Sequence, residues 1–376
     1  MQNFTQINIV GGGLAGLTAA IHLAKNKANV TVFEKQQYPF HRVCGEYVSN
    51  EVLPYLDSLG VDVIALNAQP IYELKVSSES GNTMTSKLPM GGFGLSRYAF
   101  DNALYEHAKK LGVKFVHEEV TMVHHNDAGF TIKTKQGGTY SSLFAIGSYG
   151  KRSILDKTLN RDLTKDKSSW IGVKAHYTHP DFPDHQVGLH NFSGGYCGLS
   201  KTETGAINAC YLVSYESFKQ HKNVEEFEKK VMMKNPHLKK FFGEAEMIFK
   251  SPKTIAQISF EEKSPVEHDM LMCGDAARLI HPLVGNGMAM AIHSAKIASE
   301  LILESLACDY HKSNLTNNIY MFKWNKAFRR RLQTSRFLQK VLLSKTLSGF
   351  AINGMTKIPG AFSKLVQLTH GKPILT

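Results

Sequence analysis

The alternation of apolar and polar positions divides the chain into segments of two periods. Ile7, Ile9 and Val10 form a short buried strand, and Leu14 opens a stretch whose apolar residues recur at helical spacing. Residues 30–33 read as the second strand of the same unit. A loop at 38–49 and a helix-like stretch ending near Gly60 follow. Residues 71–88 then alternate around Gly81 and Asn82, the pattern of a hairpin outside the first unit. Ser96 is placed to cap a helix that carries Phe100, Leu104, Ala108 and Leu111 on one face and stops at Gly112. Residues 113–123 and 130–134 read as strands joined by a turn at 126–129, and 143–146 as a short buried strand. From 170 to about 257 strands dominate (170–177, 186–192, 194–200 and 206–214), with one helical stretch at 224–234. From Met270 a buried strand runs to its end in Gly274 and Asp275, and a long apolar helix runs to about Leu306.

Strand and helix alternate in the first unit, and a strand-rich block interrupts it. This predicts an α/β fold: a Rossmann-like dinucleotide-binding domain formed by 1–70, 94–168 and 258–309, an inserted β-sheet substrate domain formed by 71–93 and 169–257, and a helical C-terminal region, 310–376. Gly11, Gly13 and Gly16 lie between the first strand and the first helix as G-x-G-x-x-G, the context that gives this motif its meaning. The first glycine permits the tight turn, the second lets the backbone approach a pyrophosphate, and the third lets helix pack on strand. The helix start at Leu14 and Ala15 offers free N–H groups and the positive dipole end. Glu34, eighteen residues after Gly16 at the end of the second strand, is placed to accept hydrogen bonds from a ribose. Lys35 and Val120 are assigned to the same cofactor surface. Arg42 can serve a phosphate, and Cys44 beside Gly45 can approach a flat ring. Arg97 lies in the first turn of its helix, where the dipole opposes a cation, so it either faces an external anion or is a plain surface arginine. Near the other end, Asp275 follows a strand and precedes Gly285, Gly287 and Met288 at a helix start, an arrangement that presents hydroxyl acceptors and helical N–H groups to a ligand.

Charge and cysteine usage narrow the picture. The net charge is +12, and all of the excess lies in residues 310–376, which hold twelve Lys and Arg and no Asp or Glu. Phe322, Trp324, Phe328, Leu332, Phe337, Leu338, Val341 and Leu342 are interleaved with these cations. The mixture suits an anionic membrane surface or a partner better than nucleic acid, and it is also that of a packed helix with a solvated basic face. Five scattered cysteines without a C-x-x-C pair indicate neither a disulfide framework nor a zinc site, and no metal is expected. No window reaches eighteen apolar residues in a row, and the first apolar run is already used as a strand. The expectation is a cytoplasmic protein, peripheral on the membrane if the basic tail docks there.

Taken in order, the glycine fingerprint, the Arg42/Cys44 loop, Arg97, the turn 147–150 and the Gly274, Asp275, Pro282, Gly285 and Gly287 run resemble the FAD-dependent oxidoreductases of the para-hydroxybenzoate hydroxylase fold, a GR2-type flavoprotein architecture. The resemblance covers roughly residues 5–310 and implies FAD in the glycine-rich site. It further implies Glu34 at the adenosine ribose, Arg42 and Arg97 at the pyrophosphate, Asp275 at the ribityl-pyrophosphate region, and the backbone of 285–288 at the isoalloxazine. Within this superfamily the loop 42–49 looks most like the Cys-Gly loop of the geranylgeranyl reductase group. Tyr196 and Cys197 sit where that group has a pocket strand for substrate, although an ordinary hairpin explains them equally. The halogenase signature Trp-x-Trp-x-Ile-Pro is absent, since the only tryptophans are Trp170 and Trp324, and the family's usual Gly-Ala-(Asp/Ser)-Gly turn is replaced by Gly147, Ser148, Tyr149 and Gly150.

With a single G-x-G-x-x-G, NAD(P)H is expected as a transient reductant without a dinucleotide domain of its own. The implied reaction is hydride transfer to a C=C bond of an isoprenoid or other small apolar substrate. The alternatives are a single-component monooxygenase acting on an aromatic or polyketide, and a non-catalytic flavin-binding protein at a membrane. Cys44 is the candidate proton donor, with packing as its structural alternative. His281, beside Pro282 and of a residue type that titrates near neutrality, is its rival.

Overall fold

The computed structural model describes residues 3–151, 153–161, 170–308, 313–342 and 361–375. Two sheets organise them. In the first, β1 (Asn3–Val10) lies at the centre and pairs in parallel with β2 (Val30–Phe33) and β9 (Thr139–Gly147). Further parallel pairs add β6 (Lys114–Val116) beyond β2 and β17 (Met270–Met272) beyond β9. All four residues of β2 are buried, as expected for a parallel strand covered on both faces. The antiparallel strands β7 (Val120–Asn126), β8 (Gly129–Thr134) and β16 (Val266–Glu267) complete this sheet. The expected strand 113–123 is therefore two strands: β6 belongs to the parallel array and β7 opens a hairpin, because different partners claim the two ends.

The second sheet has the order β14-β10-β13-β12-β11-β4-β5-β3, with β15 (Lys253–Ile258) also on β10. Its members are β3 (Tyr47–Ser49), β4 (Gln69–Ser77), β5 (Thr83–Gly94), β10 (Trp170–Thr178), β11 (Gln186–Phe192), β12 (Gly195–Lys201), β13 (Ile207–Ser214) and β14 (Glu246–Met247). Pairing is antiparallel except for β4 on β11. The hairpin around Gly81 is present. The short strand β3 lies within the span 1–70 yet pairs with β5 in this second sheet.

Helix α1 (Leu14–Lys25) follows the glycine turn and is buried along most of its length. Ser96 Oγ accepts the Ala99 N–H and starts α2 (Arg97–Lys110). Two helices, α3 (Val224–Lys230) and α4 (Pro236–Glu244), cover one face of the second sheet. The start of α4 is set by the Asn235 side chain, which accepts N–H groups from His237 and Leu238, with Pro236 at the first helical position. Helix α5 (Gly287–Ala307) packs on α1. Then α6 (Ser313–Leu342) turns Tyr320, Trp324, Phe328 and Leu332 inward at four-residue spacing. The final helix is α7 (Ala361–Thr369).

Of the apolar residues interleaved with the C-terminal cations, Trp324, Phe328, Leu332 and Leu338 are thus core, while Phe322 and Phe337 are exposed. The cations divide in the same way. Arg331 is buried and its guanidinium meets Glu51, which is wholly buried, at 2.7 Å. Arg336 pairs with Glu262 at 2.6 Å. Removing one member of a buried pair leaves the other charge uncompensated, so Arg331→Met is expected to destabilise the fold by about 3–5 kcal/mol. The neighbouring exposed Arg330→Met should change stability by no more than about 0.5 kcal/mol. Urea unfolding of the two variants checks this, and equal midpoints would contradict it.

Candidate active site

The glycine turn is fixed by its neighbours. Gly11 has φ of +105°, and a Cβ there would lie 2.4 Å from the Ser148 carbonyl oxygen; one on Gly16 would lie 2.0 Å from the Gly11 oxygen. Ser148 closes this contact by donating its hydroxyl to the Gly11 oxygen at 2.7 Å. Gly13 differs. The nearest atoms to a Cβ there are Arg97 Nη2 at 3.7 Å and Arg42 Cζ at 4.0 Å, so the absent side chain leaves a gap between two guanidinium groups at the uncapped start of α1.

Two carboxylates hold those guanidinium groups. Arg42 reaches Glu34 at 2.9 Å and Asp101 at 3.1 Å, and Arg97 grips both oxygens of Asp101 at 2.7 Å. Asp101, one turn on, answers the dipole objection to a cation at position 97. Burial works against the Arg97 charge, but Asp101 and then the Cys44 sulfur beside it outweigh burial and raise its affinity for the proton. Glu34 is buried and accepts the Gly12 N–H at 3.2 Å. Lys35 pairs with Glu119 at 3.1 Å.

Gly11, Gly13, Ser148, Glu34, Lys35 and both arginines open onto one cavity of about 600 Å³. Its polar end is formed by Gly11, Gly13, Leu14, Ala15, Glu34, Lys35, Arg42, Arg97 and Val120, joined by Asp275, Gly285, Gly287 and Met288 from the far end of the sequence. Gly274 and Gly285 have φ of +60° and +63°, which turn the backbone back toward the cavity before α5 begins. Cys44 Sγ lies 3.7 Å from Met288 Sδ and so joins the two halves. Beyond Cys44 the cavity continues as an apolar chamber between Leu74, Val76, Leu88, Val187, Leu189 and Leu212.

Two expectations change. Tyr196 lines the chamber, but Cys197, the next residue of β12, points to the other face and is buried among Phe192, Tyr211 and Phe227 under the helices. The thiol that does face the chamber is Cys210, whose residue pairs with Gly198 across β12 and β13. His281 is 3% exposed, packs against Trp170, Tyr196 and Phe260, and leaves Nε2 without a hydrogen bond. Burial pushes its pKa down to about 3, so it is neutral at physiological pH and a poor proton donor. In the C-terminal region, the side chains of Val341 and Leu342 lie outside the described residues.

One cluster escaped sequence reasoning. Glu46, with φ of +54° and no exposed surface, meets the wholly buried Lys174 ammonium and accepts the Arg97 N–H at 2.7 Å through Oε1. His176 Nε2 lies 2.7 Å from its Oε2. Burial alone would raise the Glu46 carboxyl, but Lys174 and His176 overturn this and hold it below the usual range. The donor atoms of His41, Glu46 and His176 lie within 4.8 Å of one another, a metal-like grouping, but the ammonium of Lys174 already supplies its positive charge. The detectable signal was a lysine and a histidine two apart within an otherwise apolar strand. The network ties the Cys44 loop to both α2 and the second sheet, and Asn208 adds a hydrogen bond to the Cys44 carbonyl at 3.1 Å.

The gap at Gly13, the paired arginines, the two helix starts and the buried acid suit a dinucleotide with a pyrophosphate. Comparison with known proteins agrees. Residues 4–307 match the family model described as FAD binding domain. The chain is 25% identical over 329 residues to digeranylgeranylglycerophospholipid reductase 1 of Methanosphaera stadtmanae, over 84% of this chain and 79% of that protein. Among solved structures, a flavin-dependent brominase has a TM-score of 0.80 at 19% identity, over 98% of this chain and 93% of that one. A geranylgeranyl bacteriochlorophyll reductase-like protein from Thermoplasma acidophilum has a TM-score of 0.75 at 18% identity, over 100% and 94%. At such identities the structural likeness speaks to fold alone. The family match spans most of the chain and includes both halves of the polar end of the cavity, and the protein therefore belongs to the FAD binding domain family, as an FAD-dependent oxidoreductase of the para-hydroxybenzoate hydroxylase-fold superfamily.

Proposed function

We propose that the protein reduces a carbon–carbon double bond of an isoprenoid or other apolar, lipid-like substrate, with NAD(P)H as the transient source of electrons. The observation that carries this reading is the continuity of the cavity: an apolar chamber and a cysteine-bearing loop open directly onto the glycine turn. When bound, FAD supplies two-electron chemistry. Gly13, Arg42, Arg97 and the start of α1 hold its pyrophosphate, Glu34 its ribose, and Asp275 with the N–H groups near Gly285, Gly287 and Met288 the remainder. The chamber walls orient the substrate and exclude water. Cys44 holds a proton at Sγ for the carbon that does not receive hydride, with Met288 beside the sulfur. The reductase of Methanosphaera stadtmanae is a relative whose name fits such a substrate.

Turnover of prenyl lipids with NADPH under ¹⁸O₂ tests this reading against hydroxylation. The expected product is free of the label, whereas label in the product would establish the monooxygenase alternative. Cys44→Ala is expected to keep its FAD and lose at least about tenfold in turnover, the lower part of the range for general acid catalysis, with Cys44→Ser between the two. Turnover by Cys44→Ala within twofold of the parent, roughly the margin that separates packing from acid catalysis, would leave Cys44 as packing.

The exposed face of α6 supports a peripheral membrane role. Lys326, Arg329, Arg330 and Lys340 are exposed there, with Phe322 and Phe337 beside them. No helix among the described residues is long and apolar enough to cross a membrane. At about 1 kcal/mol per cation near an anionic surface, these residues are enough for salt-sensitive binding. Arg329→Gln with Arg330→Gln should weaken sedimentation with phosphatidylserine vesicles. Arg331 is left intact because it is structural. Equal binding by parent and variant would return this face to simple solvation.

A further inference from the structure

Helix α7 gives one whole face to the chamber. Phe362, Leu365, Val366 and Thr369 stand at i, i+3, i+4 and i+7, so they form a single stripe, and all four line the cavity. The C-terminal end of the helix is anchored. Asn286 Nδ2 donates to the Thr369 carbonyl at 2.9 Å, the His370 ring lies 3.3 Å from the Tyr47 hydroxyl, and the Gly371 N–H is received by the buried Glu51 carboxylate that also holds Arg331. Asn286 belongs to the cofactor-facing turn before α5, so Thr369 marks the near end of the stripe. At 1.5 Å per residue, Val366 stands about 4.5 Å and Phe362 about 10 Å farther along the axis. Val366 and the half-buried Phe362 pack with Leu74, Leu88 and Val187, so β4, β5 and β11 form the opposite wall.

We propose that α7 is a ruler for the substrate: it sets the length of apolar chain that the chamber accepts, with Val366 as a constriction near the cofactor turn and Phe362 as the end stop. This rests on the apolar-substrate reading and adds to it the residues that choose among such substrates. A chain lying along the stripe gains apolar contact with every methylene until it meets Phe362, after which further length adds nothing. Each buried methylene is worth about a fourfold gain in affinity.

The test is calorimetric titration of the FAD-loaded protein with linear primary alcohols of increasing length. The parent is expected to bind about fourfold more tightly per methylene up to a limiting length and then to level off. Phe362→Ala should move that limit to longer chains and Val366→Trp to shorter ones, with FAD content unchanged in both. Phe362→Leu, a smaller truncation of the same end stop, provides a second lengthening variant that depends less on how Phe362→Ala folds. The same limiting length in parent, Val366→Trp and both Phe362 variants would overturn the ruler while leaving an apolar chamber in place. A parent whose affinity does not change with chain length would overturn the apolar-substrate reading itself, and the ruler with it.

Discussion

Gly13→Val is expected to fold and to lose its FAD. A Cβ at this position meets no protein atom closer than 3.7 Å, so the turn accepts it. What it fills is the gap between Arg42 and Arg97 at the start of α1, where a pyrophosphate needs the backbone close. Two hydrogen bonds to a charged group, each worth about 1.5–3 kcal/mol, would be lost, and affinity should fall by about 10²–10⁴-fold. Gly11→Val and Gly16→Val are different experiments. Their Cβ atoms would sit 2.4 and 2.0 Å from backbone oxygens, so they should disturb the fold itself. Flavin released on denaturation, measured per mole of protein beside a thermal unfolding curve, separates the two effects. A Gly13→Val protein that purifies fully flavinated would mean that the pyrophosphate lies elsewhere.

The fold is also expected to be acid-labile well above the carboxylate range. His190 and His281 are held neutral by burial, each pushed down to about 3, and His293 to about 4 by burial and then by Arg331 and Lys296. In the unfolded chain these rings titrate near 6.5, so below that pH the unfolded state binds protons that the folded state refuses. Their penalty is absent above about pH 6.5 and grows as the pH falls toward the folded values, at about 1.4 kcal/mol per histidine per pH unit. At pH 5 the three together remove about 6 kcal/mol, a large part of an ordinary domain's stability. Glu46 acts in the same direction at lower pH. Its carboxyl is depressed in the fold, so its contribution is present above the unfolded value near 4.5 and is lost as the pH falls through the folded one. Urea midpoints at pH 7 and 5 should differ strongly and those at pH 7 and 8 little; identical midpoints at pH 7 and 5 would contradict this burial.

How far each feature was legible depended on whether its cause was local. The strand, glycines, helix and acid from Ile7 to Glu34 are dictated by short-range geometry, and the structure has them in place. So has the Ser96 cap, and Asp101, four residues after Arg97, was readable as that arginine's partner. Alternation in 194–200 was visible, but its phase relative to the chamber was not. A strand presents Tyr196 and Cys197 to opposite faces, and only the pairing with β13 decides which thiol, Cys210 rather than Cys197, lines the cavity. His281 was read by residue type, whereas its titration is set by aromatic neighbours that come from three separate stretches of chain. Lys174 and Glu46 meet across 128 positions, and α7 reaches the chamber from the end of the chain; neither contact leaves a periodic trace.

We propose that this cavity reduces an apolar alkene without oxygen. The direct measurement is turnover of a prenyl lipid by the FAD-loaded protein with NADPH under strict exclusion of O₂. The expected product carries two added hydrogens and forms at least as fast as in air, where O₂ competes for the electrons, and product that appears only when O₂ is admitted would contradict the proposal.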